Sequence, residues 1–77
     1  MDLTPRKFAD ALFERAPMAL VPFNALSRDT GQPVQAVERS ALVAESAGLV
    51  EVWPACYSAM LSSLEAERRG LELQVDS

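Results

Sequence analysis

The sequence contains no histidine and only one cysteine, Cys56. Without these residues no His/Cys metal cage can be assembled, and no internal disulfide can close. A lone thiol fits a reducing compartment. No apolar run approaches the roughly 18 residues that a membrane span needs. The opening Met1-Asp2-Leu3-Thr4-Pro5 lacks the basic-then-apolar layout of a secretory signal, so the expected location is the cytoplasm. Three glycines and five prolines are too few for a fibrous or low-complexity chain. The missing histidine, the usual proton carrier near neutral pH, points away from an enzyme. What remains is a binding module with no cofactor and no metal. Its 77 residues, 49% apolar and 23% charged, suit one globular domain spanning residues 1–77.

Positive charge is also scarce. Seven Lys and Arg stand against eleven Asp and Glu, which leaves a net charge of −4. Residues 1–40 are balanced, with Arg6, Lys7, Arg15, Arg28 and Arg39 against five acidic side chains. Residues 41–77 carry only Arg68 and Arg69 against six acidic side chains. Affinity for nucleic acid comes from cations that displace counterions, so any phosphate contact must come from the first half.

The apolar pattern predicts four helices and a β-hairpin. Thr4 and Pro5 start a helix that ends near Ala16, before Pro17. Leu3 and Phe8 occupy the two positions of a hydrophobic staple. Phe8, Ala11, Leu12 and Arg15 recur at helical spacing, while Arg6, Lys7, Asp10 and Glu14 fill the wet side. Residues 18–21 read as a short strand or an extended link. Pro22 opens a second helix to about Asp29, with Phe23 and Leu26 inward, and Thr30-Gly31-Gln32 makes a tight turn. Pro33 starts a third helix that reaches Ala47. Val34, Val37, Ala41 and Ala44 form its inward stripe, with Val43 and Ala47 beside it. Gly48 caps it. Residues 49–53 alternate as a strand, Pro54-Ala55-Cys56 turns, and residues 57–61 return. Ser62 and Glu65 have capping-box spacing for a last helix, with Leu64, Leu71 and Leu73 inward. Glu65, Glu67, Arg68 and Arg69 read as its solvated face. The fold class is therefore mainly α with a small β-hairpin.

The run Leu26-Ser27-Arg28-Asp29-Thr30-Gly31-Gln32-Pro33-Val34-Gln35-Ala36-Val37 resembles the turn of winged helix-turn-helix domains. Ala47-Gly48-Leu49-Val50 is similar to the ending after their recognition helix, at the usual distance from Gly31. Leu61-Ser62-Ser63 resembles their step from the second wing strand into the closing helix. The resemblance covers roughly residues 5–73. It implies a helix-turn-helix at about 22–47 and a wing at about 49–61. In such a fold Leu26, Val37 and Ala41 pin two helices at a steep angle, and the third helix can enter the roughly 12 Å major groove.

The resemblance further implies a sequence-specific DNA-binding regulator of transcription, of bacterial or phage type and acting as a homodimer. Gln32, Gln35, Ala36, Glu38, Arg39 and Leu42 should face outward. Gln35 suits adenine, Arg39 suits guanine or a phosphate, and Glu38 can accept from cytosine. Arg28 is placed for a phosphate, and Arg6 and Lys7 are further cations. The expected DNA-binding set is thus Arg28, Gln32, Gln35, Glu38 and Arg39.

An alternative reading is a protein-interaction module that binds a partner protein through its acidic C-terminal half or the Trp53/Tyr57 hairpin. Residues 53–58 of the wing contain no Lys or Arg, and the third helix has a net charge of −1 from Glu38, Arg39 and Glu45. Trp53 and Tyr57 are two of only five aromatic residues, and such side chains dominate interface energetics. Cys56 has no basic neighbour within four residues to activate its thiol. A small core gains from burying a second surface, so the dimer is expected through the first or last helix.

Overall fold

The computed structural model describes residues 3–16 and 18–70. Local chemistry sets where each element starts. Thr4 Oγ1 accepts from the Lys7 amide at 3.2 Å, Pro5 follows, and α1 runs Pro5–Arg15. Phe8, Ala9 and Leu12 make its buried side, with Leu3 packed against the same core. The apolar run at 18–21 divides: Met18 and Leu20 are exposed, and Val21 is buried in a two-residue strand, β1 (Val21–Pro22). The expected helix break at Pro17 falls outside the described residues.

α2 (Phe23–Thr30) and α3 (Val34–Ser46) meet through the turn at Gly31, whose φ is 72°. The Gly31 amide donates to the Ser27 carbonyl at 3.0 Å. Ser27 Oγ donates to the Gln32 carbonyl at 2.6 Å, and Thr30 Oγ1 donates to the Leu26 carbonyl at 2.7 Å. A Cβ at Gly31 would meet nothing within 4 Å, so the need for glycine is one of backbone angle alone. Gly31→Val should therefore cost about 1–2 kcal/mol. A thermal melt would show this as a fall of roughly 4–16 °C. An unchanged midpoint would remove the left-handed turn from the fold.

α3 is rotated from the phase that its valines suggest. Val37, Ala41 and Ala44 are buried, as the periodicity predicts. Ala36 and Ser40 are buried beside them, whereas Val34 and Val43 are 40% and 54% exposed. Small side chains here let the lead into α1 come close, and Ser40 Oγ accepts from the Leu3 amide at 3.2 Å. Close approach has overridden bulk hydrophobicity.

Gly48, with φ 81°, ends this helical segment and leads into β2 (Val50–Trp53). A single 3-10 turn, Pro54–Cys56, connects to β3 (Ser58–Leu61). Tyr57 does not begin that strand. It sits in the left-handed region at φ 49°, and pairing starts at Ser58. The expected hairpin gains a third member, because β1 pairs antiparallel with β3 through Val21 and Ala59. The strand order is β1-β3-β2.

α4 (Ser63–Arg68) begins where the capping spacing predicts, with Ser62 Oγ accepting from the Glu65 amide at 3.1 Å. The box is half-formed, since the Ser62 amide donates to the Leu49 carbonyl at 3.0 Å and the Glu65 carboxylate turns to Arg68 and Arg69. The Ser62 hydroxyl also donates to the Gly48 carbonyl at 2.8 Å, tying α4 to the end of α3. Leu64 is exposed rather than inward. Leu71 and Leu73 lie outside the described residues. The described chain is mainly helical with a small three-stranded antiparallel sheet. Phe8, Leu12, Val21, Phe23, Leu26 and Val37 fill the core where the first three helices meet the sheet.

Candidate nucleic-acid interface

The buried stripe of α3 leaves its opposite side to solvent. Gln35, Glu38, Arg39 and Leu42 are exposed there, spaced three and four residues apart along one face. Ala36, expected outward, is instead 3% exposed and belongs to the packed side. Gln32 precedes α3 and is half-buried. Its carbonyl accepts from Ser27, so it helps close the turn and does not share the α3 row. Arg28 is exposed in the last turn of α2 and makes no ion pair among the described residues. Its neighbour Asp29 is held by Arg15 Nη1 through two contacts of 2.8 Å. That pairing takes up the Asp29 charge and leaves the field of Arg28 uncancelled.

Between α3 and the sheet lies a cleft of about 180 Å³. Phe23, Leu42, Val52 and Pro54 give it an apolar lining, joined by Glu38 and Arg39. Glu45 Oε2 accepts from the Val52 amide at 3.2 Å, which holds β2 against α3. The Tyr57 carbonyl accepts from the Phe23 amide at 2.8 Å, so the wing is also fastened to the start of α2. Trp53 and Tyr57, the expected partner-binding pair, are 47% and 68% exposed. Cys56 is exposed beside them.

Of the four charges near the end of α4, Glu67 and Arg68 are exposed as their sequence suggests, but Glu65 and Arg69 are not. Glu65 is only 4% exposed. Arg69 Nε donates to Glu65 Oε2 at 2.7 Å, and Arg68 Nη1 donates to Oε1 at 3.2 Å. Arg69 Nη2 also reaches Asp10 Oδ1 on α1 at 2.9 Å, and its guanidinium lies 5.1 Å from the centre of the Phe13 ring. Burial pushes the Glu65 carboxyl up, but the hydrogen bonds and charges of Arg69 and Arg68 outweigh it and hold the group below its ordinary range. Burial likewise lowers Arg69, and Glu65 and Asp10 together raise it further. The spacing Glu65, Arg68, Arg69 (i, i+3, i+4) was the available signal, since such pairs share a helix face. Both arginines are engaged, so this end of the molecule offers little cation to a polyanion.

Among the described residues, no group of three His, Cys, Asp or Glu side chains is placed to hold a metal ion. No described helix is long and apolar enough to cross a membrane. In comparisons with known proteins, no family model, no curated protein and no solved structure matches the chain.

Proposed function

We propose that the chain is a winged helix-turn-helix module that binds duplex DNA in transcription control, with α3 as the helix that enters the major groove. The observation that carries this reading is the exposed row Gln35, Glu38, Arg39 and Leu42, presented beyond a turn that only a left-handed residue can make. The element order supports it. A helix, a short strand, two helices joined by a tight turn, two paired strands and a closing helix follow in sequence. Gln35 faces adenine, Arg39 guanine, Glu38 the cytosine amino group, and Leu42 a thymine methyl. Arg28 holds a phosphate from the end of α2.

With so few cations on this side, only about two to four phosphates are neutralised per subunit. The logarithm of affinity should then fall against the logarithm of salt with a slope of about −2 to −4. A shift assay against a random-sequence duplex pool at two salt concentrations reads this directly. Selection of a defined site supports the proposal, and no duplex binding at about 100 mM salt overturns it.

The apolar cleft favours a second reading. A wing with no Lys or Arg beside Phe23, Leu42, Val52 and Pro54 suits an apolar side chain of a partner protein. In that case truncating Leu42 in the cleft, or the exposed Trp53 or Tyr57 on the neighbouring wing, removes the interaction.

A further inference from the structure

We propose that the outer side of α1 is a self-complementary face on which a second copy of this chain docks, helix against antiparallel helix. This does not depend on what α3 binds. α1 packs on α3 with its inner side, Phe8, Ala9 and Leu12. Its outer side borders an open groove of about 810 Å³, lined by Lys7, Asp10, Ala11 and Glu14 and by Asp29 and Thr30 of α2. The neighbouring charges are already matched within the molecule, Asp10 by Arg69 and Asp29 by Arg15. Lys7 and Glu14 are left, both exposed and neither in an ion pair among the described residues.

Lys7 and Glu14 are seven residues apart, two turns along the same face, about 10.5 Å along the axis. That is too far for them to reach each other, since helical partners lie three or four residues apart. Their midpoint falls between Asp10 and Ala11. A two-fold axis through that midpoint places each Lys7 opposite the Glu14 of the other copy. The small Ala11 at the centre lets the two backbones approach to the roughly 8–10 Å of packed helices. A parallel arrangement would put Lys7 against Lys7, so the charges select the antiparallel one. This is the isologous pattern of a cyclic dimer, in which one patch serves both copies. Exposed ion pairs are individually weak, so the dimer is a reversible one that salt weakens further. The exposed row of α3, on the other side of the molecule, stays open.

Sedimentation of the full chain from about 10 μM to about 1 mM spans the expected range. The wild type should pass from monomer to dimer. Lys7→Glu and Glu14→Lys should each weaken the dimer tenfold or more, because each creates two like-charge contacts. Neither reversal threatens the fold. An acidic residue in the first turn and a basic one in the last turn both suit the helix dipole, and circular dichroism checks this. Mixing the two variants should restore association as a heterodimer. The double variant Lys7→Glu, Glu14→Lys should restore the homodimer. A wild type that stays monomeric, a dimer indifferent to both reversals, or two variants that fail to associate on mixing would each overturn the proposal.

Discussion

Arg69→Ala should lower the melting temperature by about 12–24 °C, whereas Arg68→Ala, one residue away, should barely move it. The difference lies in what each truncation leaves behind. Without Arg69, the buried Glu65 carboxylate keeps only Arg68, whose own side chain is 58% exposed. Asp10 loses its partner, and the Phe13 ring loses its cover. Removing one member of a buried ion pair costs about 3 kcal/mol at the low end, because the remaining charge stays desolvated. In a domain of this size each kcal/mol moves the midpoint by about 4–8 °C. Arg68→Ala removes an exposed contact worth about 0–1 kcal/mol. The effect is also tied to pH. Glu65 sits below its ordinary value of 4.5, so its contribution is fully present above that value. It is lost as pH falls through the lower value of the folded protein. Stability of the wild type should decline over that acid range, and Glu65→Gln should show a flatter curve there. Equal small losses for both arginine variants would mean that α4 is not fastened to α1 in this way.

Arg39→Ala should weaken binding to a selected DNA site by about 1–3 kcal/mol, roughly 5- to 150-fold, and relax the preference at one base pair. A guanidinium that grips guanine at two atoms cannot be replaced by water without losing both discrimination and affinity. Gln35→Ala should act similarly at an adenine. Arg28→Ala should weaken every sequence alike, since phosphate contacts carry no base information. Arg68→Ala should leave DNA binding unchanged, because that side chain lies on α4 and is held by Glu65. Quantitative shift titrations with the selected site and a one-base mismatch separate these outcomes. Equal, weak binding to all duplexes, unaffected by Arg39→Ala, would end the DNA reading. The cleft formed by Phe23, Leu42, Val52 and Pro54 would then be the surface to pursue.

Local chemistry made much of the fold legible. Thr4, Gly31, Gly48 and the Ser62/Glu65 spacing each mark a helix end because each solves a backbone problem that belongs to its own few residues. The errors arise where distant segments decide. Hydrophobicity assigns Val34 and Val43 inward, yet Ala36 and Ser40 take those places because the lead into α1 approaches there. β1 is ambiguous in the sequence because two residues make a strand only when β3 is beside them. Glu65 reads as wet in the sequence because a carboxylate is buried only if cations come with it, and one of them, Arg69, is anchored on α1. In the candidate site, the exposure of Gln35, Glu38, Arg39 and Leu42 follows from periodicity. The apolar cleft beside them does not, since it requires Phe23 and Val52 to converge from separate elements.

The contact between Glu45 and the Val52 amide has a consequence for how this protein can associate. β2 is the outer strand of the sheet, and an outward amide there is the natural place for a foreign strand to begin pairing. The Glu45 carboxylate already occupies that amide and sets a negative charge in the path of an incoming chain. At the opposite border, β1 is two residues long and one of them is Pro22, which has no amide hydrogen to offer. Both borders of the sheet thus resist strand addition. Growth into ribbons or fibrils through this sheet is disfavoured, which leaves helices and side chains as the favoured surfaces for association.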